Sequence, residues 1–373
     1  MSTFSPIYVT SPGLPPLDEF IQEITPIWES GILTHQGPKY QELEHDLELY
    51  LKVDHAPLFA NGHLALQVAL RALGLTSGEV ITTPFTFAST TMAIVECGLT
   101  PVFCDVDPAD FTIDERKIEA LITPQTKAIV PVHVYGVPCH VEALGDIARK
   151  HGLYLIYDAA HAFGETYRGK GIAQYGDMSM FSLHATKVYN SVEGGALAFN
   201  GQGELLEKIC AIRQFGEVAH SANSELIGTN AKMTELHAAM GICNLRHLGE
   251  YIEARRQAYL AYEEVFDSCE VLTTITYPAG LKPNYAYYPI LISEESSVSR
   301  DDVANALEQE NVYARKYFYP ITSEFTAFKG RFTIQETPIA KSVSERILCL
   351  PLHPRMSPDD ARRIARITLR AIC

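Results

Sequence analysis

Between residues 58 and 200, short apolar and β-branched runs alternate with segments whose apolar residues recur at helical spacing. EVITT (79–83), PVFCDVD (101–107), KAIVPVHV (127–134), LYLIYDAA (153–160), MSMFSL (178–183) and GALAFN (195–200) read as strands. Segments 62–73, 88–97 and 140–151 between them read as helices. Such alternation predicts an α/β fold with a mainly parallel sheet covered by helices. Several of the strand runs are apolar on successive residues, as expected when both faces of the sheet are buried. A long helical pattern follows at 231–267, and after it the signals shorten, with helices expected at 299–310 and 357–372. Ser357 and Pro358 supply an N-cap and a first helical residue for the last of these. The change of pattern predicts a large domain over 1–250 and a smaller C-terminal α/β domain over 251–373, which 373 residues suffice to build.

Composition removes several function classes. The formal net charge is −15, which argues against a broad phosphate-tracking surface for nucleic acid. No apolar run approaches the roughly 18 residues of a membrane helix. The opening MSTFSPIYVTSPG lacks the basic and apolar regions of a secretory signal, so the expected location is the cytoplasm. Eight cysteines are scattered without a CxxC pair and read as reduced thiols. Cys139-His140 with His133 nearby lacks the ligand spacing of zinc sites, and no metal is expected.

One stretch stands out chemically. In MSMFSLHATKVYNSV (178–192), Lys187 is the sole formally charged side chain when His184 is neutral. A lysine at a strand-to-loop junction ordinarily snorkels to water. Alternatively its ammonium pKa falls in an uncharged pocket, and the amine attacks a carbonyl as a Schiff-base lysine. LIYDAAHAFG (155–164) puts Asp158 at the C-terminal end of a strand, where ligands bind in open α/β sheets. Asp158 either caps the following turn or pairs with a protonated pyridine nitrogen, a bond worth about 1.5–3 kcal/mol. In LFANGHLALQVALRALG (58–74) a strand-like run meets a helix at Asn61-Gly62. That helix start is a seat for phosphate, with Ser182 as a second candidate ligand, although an ordinary cap looks the same. GETYRGKG (164–171) has P-loop spacing but puts Gly171 where a Ser or Thr must reach Mg²⁺, and no GxGxxG or GxSxG motif is present.

Together these segments resemble the aspartate-aminotransferase-like (fold type I) pyridoxal 5′-phosphate (PLP) enzymes. More narrowly they are similar to the DegT/DnrJ/EryC1/StrS family of nucleotide-sugar aminotransferases. The resemblance runs from IYVTSPGLPPLDEF through WESGILTHQGPKYQELEHDLELYL and GDMSMFSLHATKVYNSVEGGALAF to ILCLPLHPRMSPDDARRIARI. It implies a seven-stranded mixed sheet, Lys187 as the Schiff-base lysine and Asp158 at the pyridine nitrogen. It further implies Phe87 stacked on the cofactor ring, Gly62, His63 and Ser182 at its phosphate, and His161 at its phenolic oxygen. Asn230 matches an asparagine that reaches the phosphate of the neighbouring subunit, which implies a homodimer with shared active sites.

Three positions depart from the family. His63 stands where threonine is usual, so its contact would be by backbone N–H or imidazole. His161 replaces a frequent glutamine and is expected to donate less well at high pH. Lys232 stands where arginine is common. YARKYFYPITS (313–323) resembles the sugar-nucleotide loop, with Arg315, Lys316 and Tyr319 as candidates, and a solvated basic–aromatic strand as the alternative.

The resemblance implies transfer of an amino group from L-glutamate, leaving 2-oxoglutarate, by way of pyridoxamine 5′-phosphate. The ATKVYNSVEGGAL block is similar to the branch that aminates C4 of dTDP-4-dehydro-6-deoxy-D-glucose. The product there is dTDP-4-amino-4,6-dideoxy-D-glucose, for O-antigen-type glycans or antibiotic sugars. Alternatives are amination at C3, a GDP- or UDP-linked ketosugar, and a non-catalytic sensor of the same fold. Related 3-dehydratases carry histidine in place of the Schiff-base lysine, and Lys187 speaks against that reaction.

Overall fold

A computed structural model describes residues 5–34, 36–201, 203–217, 223–267 and 269–372. Its central sheet has seven strands: Leu58–Phe59 (β1), Glu79–Thr82 (β2), Thr100–Phe103 (β3), Thr126–Val130 (β4), Tyr154–Asp158 (β5), Met178–Ser182 (β6) and Gly195–Ala198 (β7). Their spatial order is β1-β7-β6-β5-β4-β2-β3. The run from β6 to β3 is parallel throughout, and β7 is antiparallel to both of its neighbours.

Successive residues of the inner strands go to opposite cores, which is why those strands read as unbroken apolar runs. Val80, Ala128, Val130 and Ile156 face one apolar cluster, and Ile81, Ile129, Leu155 and Tyr157 face the other. The expected strands shorten where the backbone loses a ladder partner. KAIVPVHV ends at Val130, because Pro131 has no N–H to donate. PVFCDVD ends at Phe103; beyond it the Asp105 carboxylate turns aside to accept the N–H groups of Ile339 and Ala340.

The helices that frame the sheet are Leu17–Ser30 (α1), Pro38–Leu51 (α2), Gly62–Ala72 (α3), Ala88–Glu96 (α4), Val141–His151 (α5) and Glu235–Phe266 (α6). The first two were not marked in the sequence reading. Both pack on α6, and α2 comes so close that a Cβ on Gly241 would lie 2.7 Å from Leu43 Cδ2. The long helical pattern expected from residue 231 begins only at Glu235, where the Thr234 side chain accepts the N–H of His237 as an N-cap. Residue 250 lies within α6, which continues unbroken to Phe266.

The last turns of α6 join a second core. A three-stranded antiparallel sheet of Leu272–Thr274 (β8), Tyr288–Ile292 (β9) and Ile347–Leu350 (β10) packs against Arg300–Gln309 (α7) and Pro358–Ile372 (α8). Ser299 and Asp302 close a capping box on α7, and Ser357 bonds Asp360 at the start of α8. The N-terminal segment belongs to this side of the molecule: Ile7 and Tyr8 pair in parallel with Val312 and Tyr313.

Candidate active site

The parallel strands deliver their C-terminal ends to one edge of the sheet, and the chemistry-bearing residues gather there. Asp158 is the last residue of β5, only 4% exposed, opposite Met180 of β6. Its Oδ2 accepts from Thr90 Oγ1 at 2.7 Å and its Oδ1 accepts from the Ala160 N–H at 3.1 Å. Thr90 is itself tied to Thr86 at 2.8 Å, one turn earlier. Burial pushes the Asp158 carboxyl above its ordinary pKa, while the two donors and the nearby Lys187 charge oppose that rise.

Lys187 lies past the end of β6, in the loop that returns as β7. Bonds from Leu183 N–H to Gly194 O at 2.8 Å and from Ala185 N–H to Val192 O at 2.7 Å hold that loop. Val192 sits there at φ 70°, a costly conformation for a β-branched residue. The lysine is half-buried, and its ammonium stands 6.0 Å from the centre of the Tyr287 ring. Desolvation lowers its pKa below the usual lysine value, with the Asp158 carboxylate acting in the other direction. His161, Lys187, Asn284 and Tyr287 line one cleft.

His161 is buried, and its Nδ1 accepts the backbone N–H of Tyr135 at 3.0 Å. That bond puts the ring proton on Nε2. Burial first, then the Lys187 charge, depress the His161 pKa well below its ordinary value. The imidazole is therefore a neutral Nε2–H donor through the working pH range. The Nε2–H of that neutral tautomer does not depend on a second ring proton. Tyr135 holds φ 57° to make the bond, a further strained position at this edge.

The helix start at residue 62 is built for a close approach. Asn61 caps α3 by accepting the Leu64 N–H at 2.9 Å, leaving Gly62 and His63 as the open donors of the first turn. A Cβ on Gly62 would lie 3.1 Å from Ser182 Cβ, so Ser182 sits directly beside that turn. A Cβ on Gly195 would lie 2.5 Å from the Asn61 carbonyl, which explains the glycine after Gly194. The His63 imidazole is engaged elsewhere, with Nδ1 3.0 Å from Ser89 Oγ and Nε2 2.9 Å from Glu96 Oε2. Its backbone N–H is the group left for an anion. Phe87 precedes α4 with 59% of its surface exposed, so it is not a core residue. A buried acid, an open aromatic face and a free helix N-terminus together fit the pyridine nitrogen, ring and phosphate of PLP.

The remaining candidates lie further out. Asn230 is exposed, and its Oδ1 accepts from Lys232 Nζ at 2.8 Å, with that ammonium 4.6 Å from the Phe215 ring centre. Arg315, Lys316 and Tyr319 do not line the Lys187 cleft. Lys316 pairs with Asp301 at 2.8 Å, and the exposed Tyr319 ring lies 4.5 Å from the Arg300 guanidinium. Tyr317, between them, interacts electrostatically with Lys187 and packs edge-on to Tyr287 with ring centres 5.8 Å apart. The sequence reading missed Thr90, Tyr135, Asn284, Tyr287 and Tyr317. Only Thr86 and Thr90, four residues apart on either side of Phe87, carried a local signal.

This arrangement defines a fold type I aminotransferase. Residues 17–368 match the DegT/DnrJ/EryC1/StrS aminotransferase family, and the chain belongs to it. It is 42% identical over 355 residues to a dTDP-4-amino-4,6-dideoxy-D-glucose transaminase of Shigella dysenteriae, covering 95% of this chain and 96% of the relative. A transaminase of the same description from Escherichia coli is 38% identical over 368 residues, covering 97% and 98%. The solved structure of DesI in the presence of its TDP-sugar product superposes with a TM-score of 0.94 at 34% identity, covering 100% of this chain and 95% of that one. The P-loop alternative has no support, since Thr166–Tyr167 and Lys170–Gly171 pair as a small hairpin followed only by the 3-10 turn Ile172–Gln174, with no α-helix N-terminus to seat a phosphate.

The lowered Lys187 pKa has a measurable consequence in the cofactor-free protein. Below its native pKa the lysine is charged in both folded and unfolded states, and the folded state bears the full desolvation cost. Lys187→Met should therefore melt at a higher temperature than the unsubstituted chain near neutral pH. The gap should narrow as pH rises from the native pKa towards the ordinary lysine value. Thermal unfolding across pH checks this, and a gap independent of pH would contradict it.

Proposed function

We propose that the protein is a PLP-dependent transaminase that carries an amino group from L-glutamate to C4 of dTDP-4-dehydro-6-deoxy-D-glucose. The product is dTDP-4-amino-4,6-dideoxy-D-glucose. The observation that carries the reading is Lys187, desolvated beside the buried Asp158 in a chain 42% identical to a transaminase of that name. When bound, PLP supplies the electron sink that makes the α-hydrogen of an amino acid acidic. Lys187 Nζ would hold the cofactor and, once the donor's amine displaced it there, would be the neutral amine that moves the donor's α-proton. General acid–base help of this kind is typically worth ~10²–10⁴-fold. Asp158 keeps a proton on the pyridine nitrogen, and His161 Nε2–H donates to the phenolic oxygen. Phe87 covers one ring face and limits water. Gly62 and His63 N–H groups and the Ser182 hydroxyl hold the phosphate.

Asn230 in this reading serves the site of a second copy of the chain. Its exposure supports that role, as do the exposed apolar side chains of Phe215 and Ile227 in the same loop region. Arg315, Lys316 and Tyr319 remain the candidates for the sugar nucleotide, on the rim outside the cleft.

Incubating the holoenzyme and glutamate with dTDP-, UDP- and GDP-linked ketosugars, with products identified by mass spectrometry and NMR, tests the substrate. The 4-amino product should form from dTDP-4-dehydro-6-deoxy-D-glucose, and product from a UDP or GDP sugar alone would overturn the assignment. Mixing inactive Lys187→Ala with inactive Asn230→Ala should restore about a quarter of the activity, the share set by random exchange across a two-fold interface. No recovery, with exchange verified by mass, would remove Asn230 from the neighbouring site.

A further inference from the structure

Seven residues after Asp158, a glutamate is buried with no cation to pair it. Glu165 is 2% exposed, and among the described residues it joins no salt bridge. Its Oε1 accepts the Asn284 N–H at 3.1 Å, and its Oε2 is buried without a partner. Asn284 is equally buried, at 1% exposure. Its Nδ2 donates to the carbonyls of His161 at 2.8 Å and Phe163 at 3.0 Å, which fixes the orientation of the amide. Asn284 Oδ1 then points the other way and is also without a donor.

The two side chains meet beside Gly136. A Cβ there would lie 2.7 Å from Glu165 Oε1, 3.3 Å from Asn284 Oδ1 and 3.3 Å from the His161 carbonyl. A glycine at φ 88° is what allows them to converge. As a carboxylate, Glu165 would leave both its Oε2 and the nearby Asn284 Oδ1 as buried acceptors without a hydrogen, a costly arrangement in a low-dielectric interior. As a carboxylic acid it supplies the missing hydrogen.

We infer that Glu165 is a neutral acid which, through Asn284, positions the His161 turn and Tyr287 against Lys187. Asn284 is three residues before Tyr287, on the segment leading into β9, and it bonds the turn that follows β5. The pair thus ties the second core to the strand end that carries Asp158. Burial drives the Glu165 carboxyl well above its ordinary pKa, opposed only by the Asn284 N–H. The partly buried Tyr277 phenol is in electrostatic contact with it. Glu165 touches neither cofactor nor substrate in this account, so it is a positioning residue. The inference rests on the proposed reading of His161 and Lys187 as partners of one bound cofactor.

The test has a readout that needs no cofactor. Infrared spectra of the cofactor-free protein at neutral pH should show a carboxylic-acid carbonyl band that disappears in Glu165→Gln. In the holoenzyme, Glu165→Ala should lower kcat by about 10-fold or more through misplacement of the His161 turn. KM for glutamate should change much less, and Glu165→Gln, which keeps a hydrogen to donate, should recover most of the loss. No band lost in Glu165→Gln, or Glu165→Gln impaired as deeply as Glu165→Ala, overturns the inference. Should Glu165→Ala not fold, the infrared comparison decides. PLP bound at Lys187 in the unsubstituted chain, with the infrared band missing, would remove this role for Glu165 alone. A chain that does not bind PLP at Lys187 would remove the site reading instead.

Discussion

Asp158 ends a strand inside the protein, where water does not solvate its charge, and the neighbouring structure compensates. Thr90 and the Ala160 N–H take one bond to each oxygen, and the cation across the strand end is a lysine that is itself desolvated. Neither ion is comfortable alone. An acid raised by burial and an amine lowered by burial are the two states that a cofactor with a basic ring nitrogen and an electrophilic carbonyl would draw out. The parallel sheet makes the juxtaposition, because β5 and β6 run side by side and release their next residues at the same edge.

The rest of the site is supported by side chains that cannot move freely. His161 has one tautomer because Tyr135 donates to Nδ1, and Tyr135 reaches it at φ 57°. Asn284 grips two carbonyls of the same turn, and Glu165 stands behind Asn284. The two histidines of the candidate site therefore differ in kind. At position 161 the ring accepts at Nδ1 and has Nε2–H to offer. At position 63 the ring is occupied by Ser89 and Glu96, which leaves the backbone N–H as the group open to an anion.

Much of this was legible in the sequence because it is local. Alternating runs marked the strands, Asn61-Gly62 marked a helix start, and the lone charge at Lys187 marked a place where solvation was being withheld. Ser357 and Pro358 marked the start of α8. What escaped depends on residues far apart in the chain. Asn284 meets His161 across 123 residues, Tyr287 meets Lys187 across 100, and no spacing rule connects them. Strand ends were overestimated where proline or an aspartate side chain intervened, since apolar patterning reports burial and not hydrogen bonding. Helices α1 and α2 became elements by packing on α6.

The central claim is covalent and can be read directly. The purified protein is incubated with PLP, treated with borohydride, digested and mapped by mass spectrometry. The account predicts a phosphopyridoxyl group on Lys187 that is lost when glutamate is added before the hydride. A reduced adduct spread over surface lysines, with Lys187 unmodified, would contradict it.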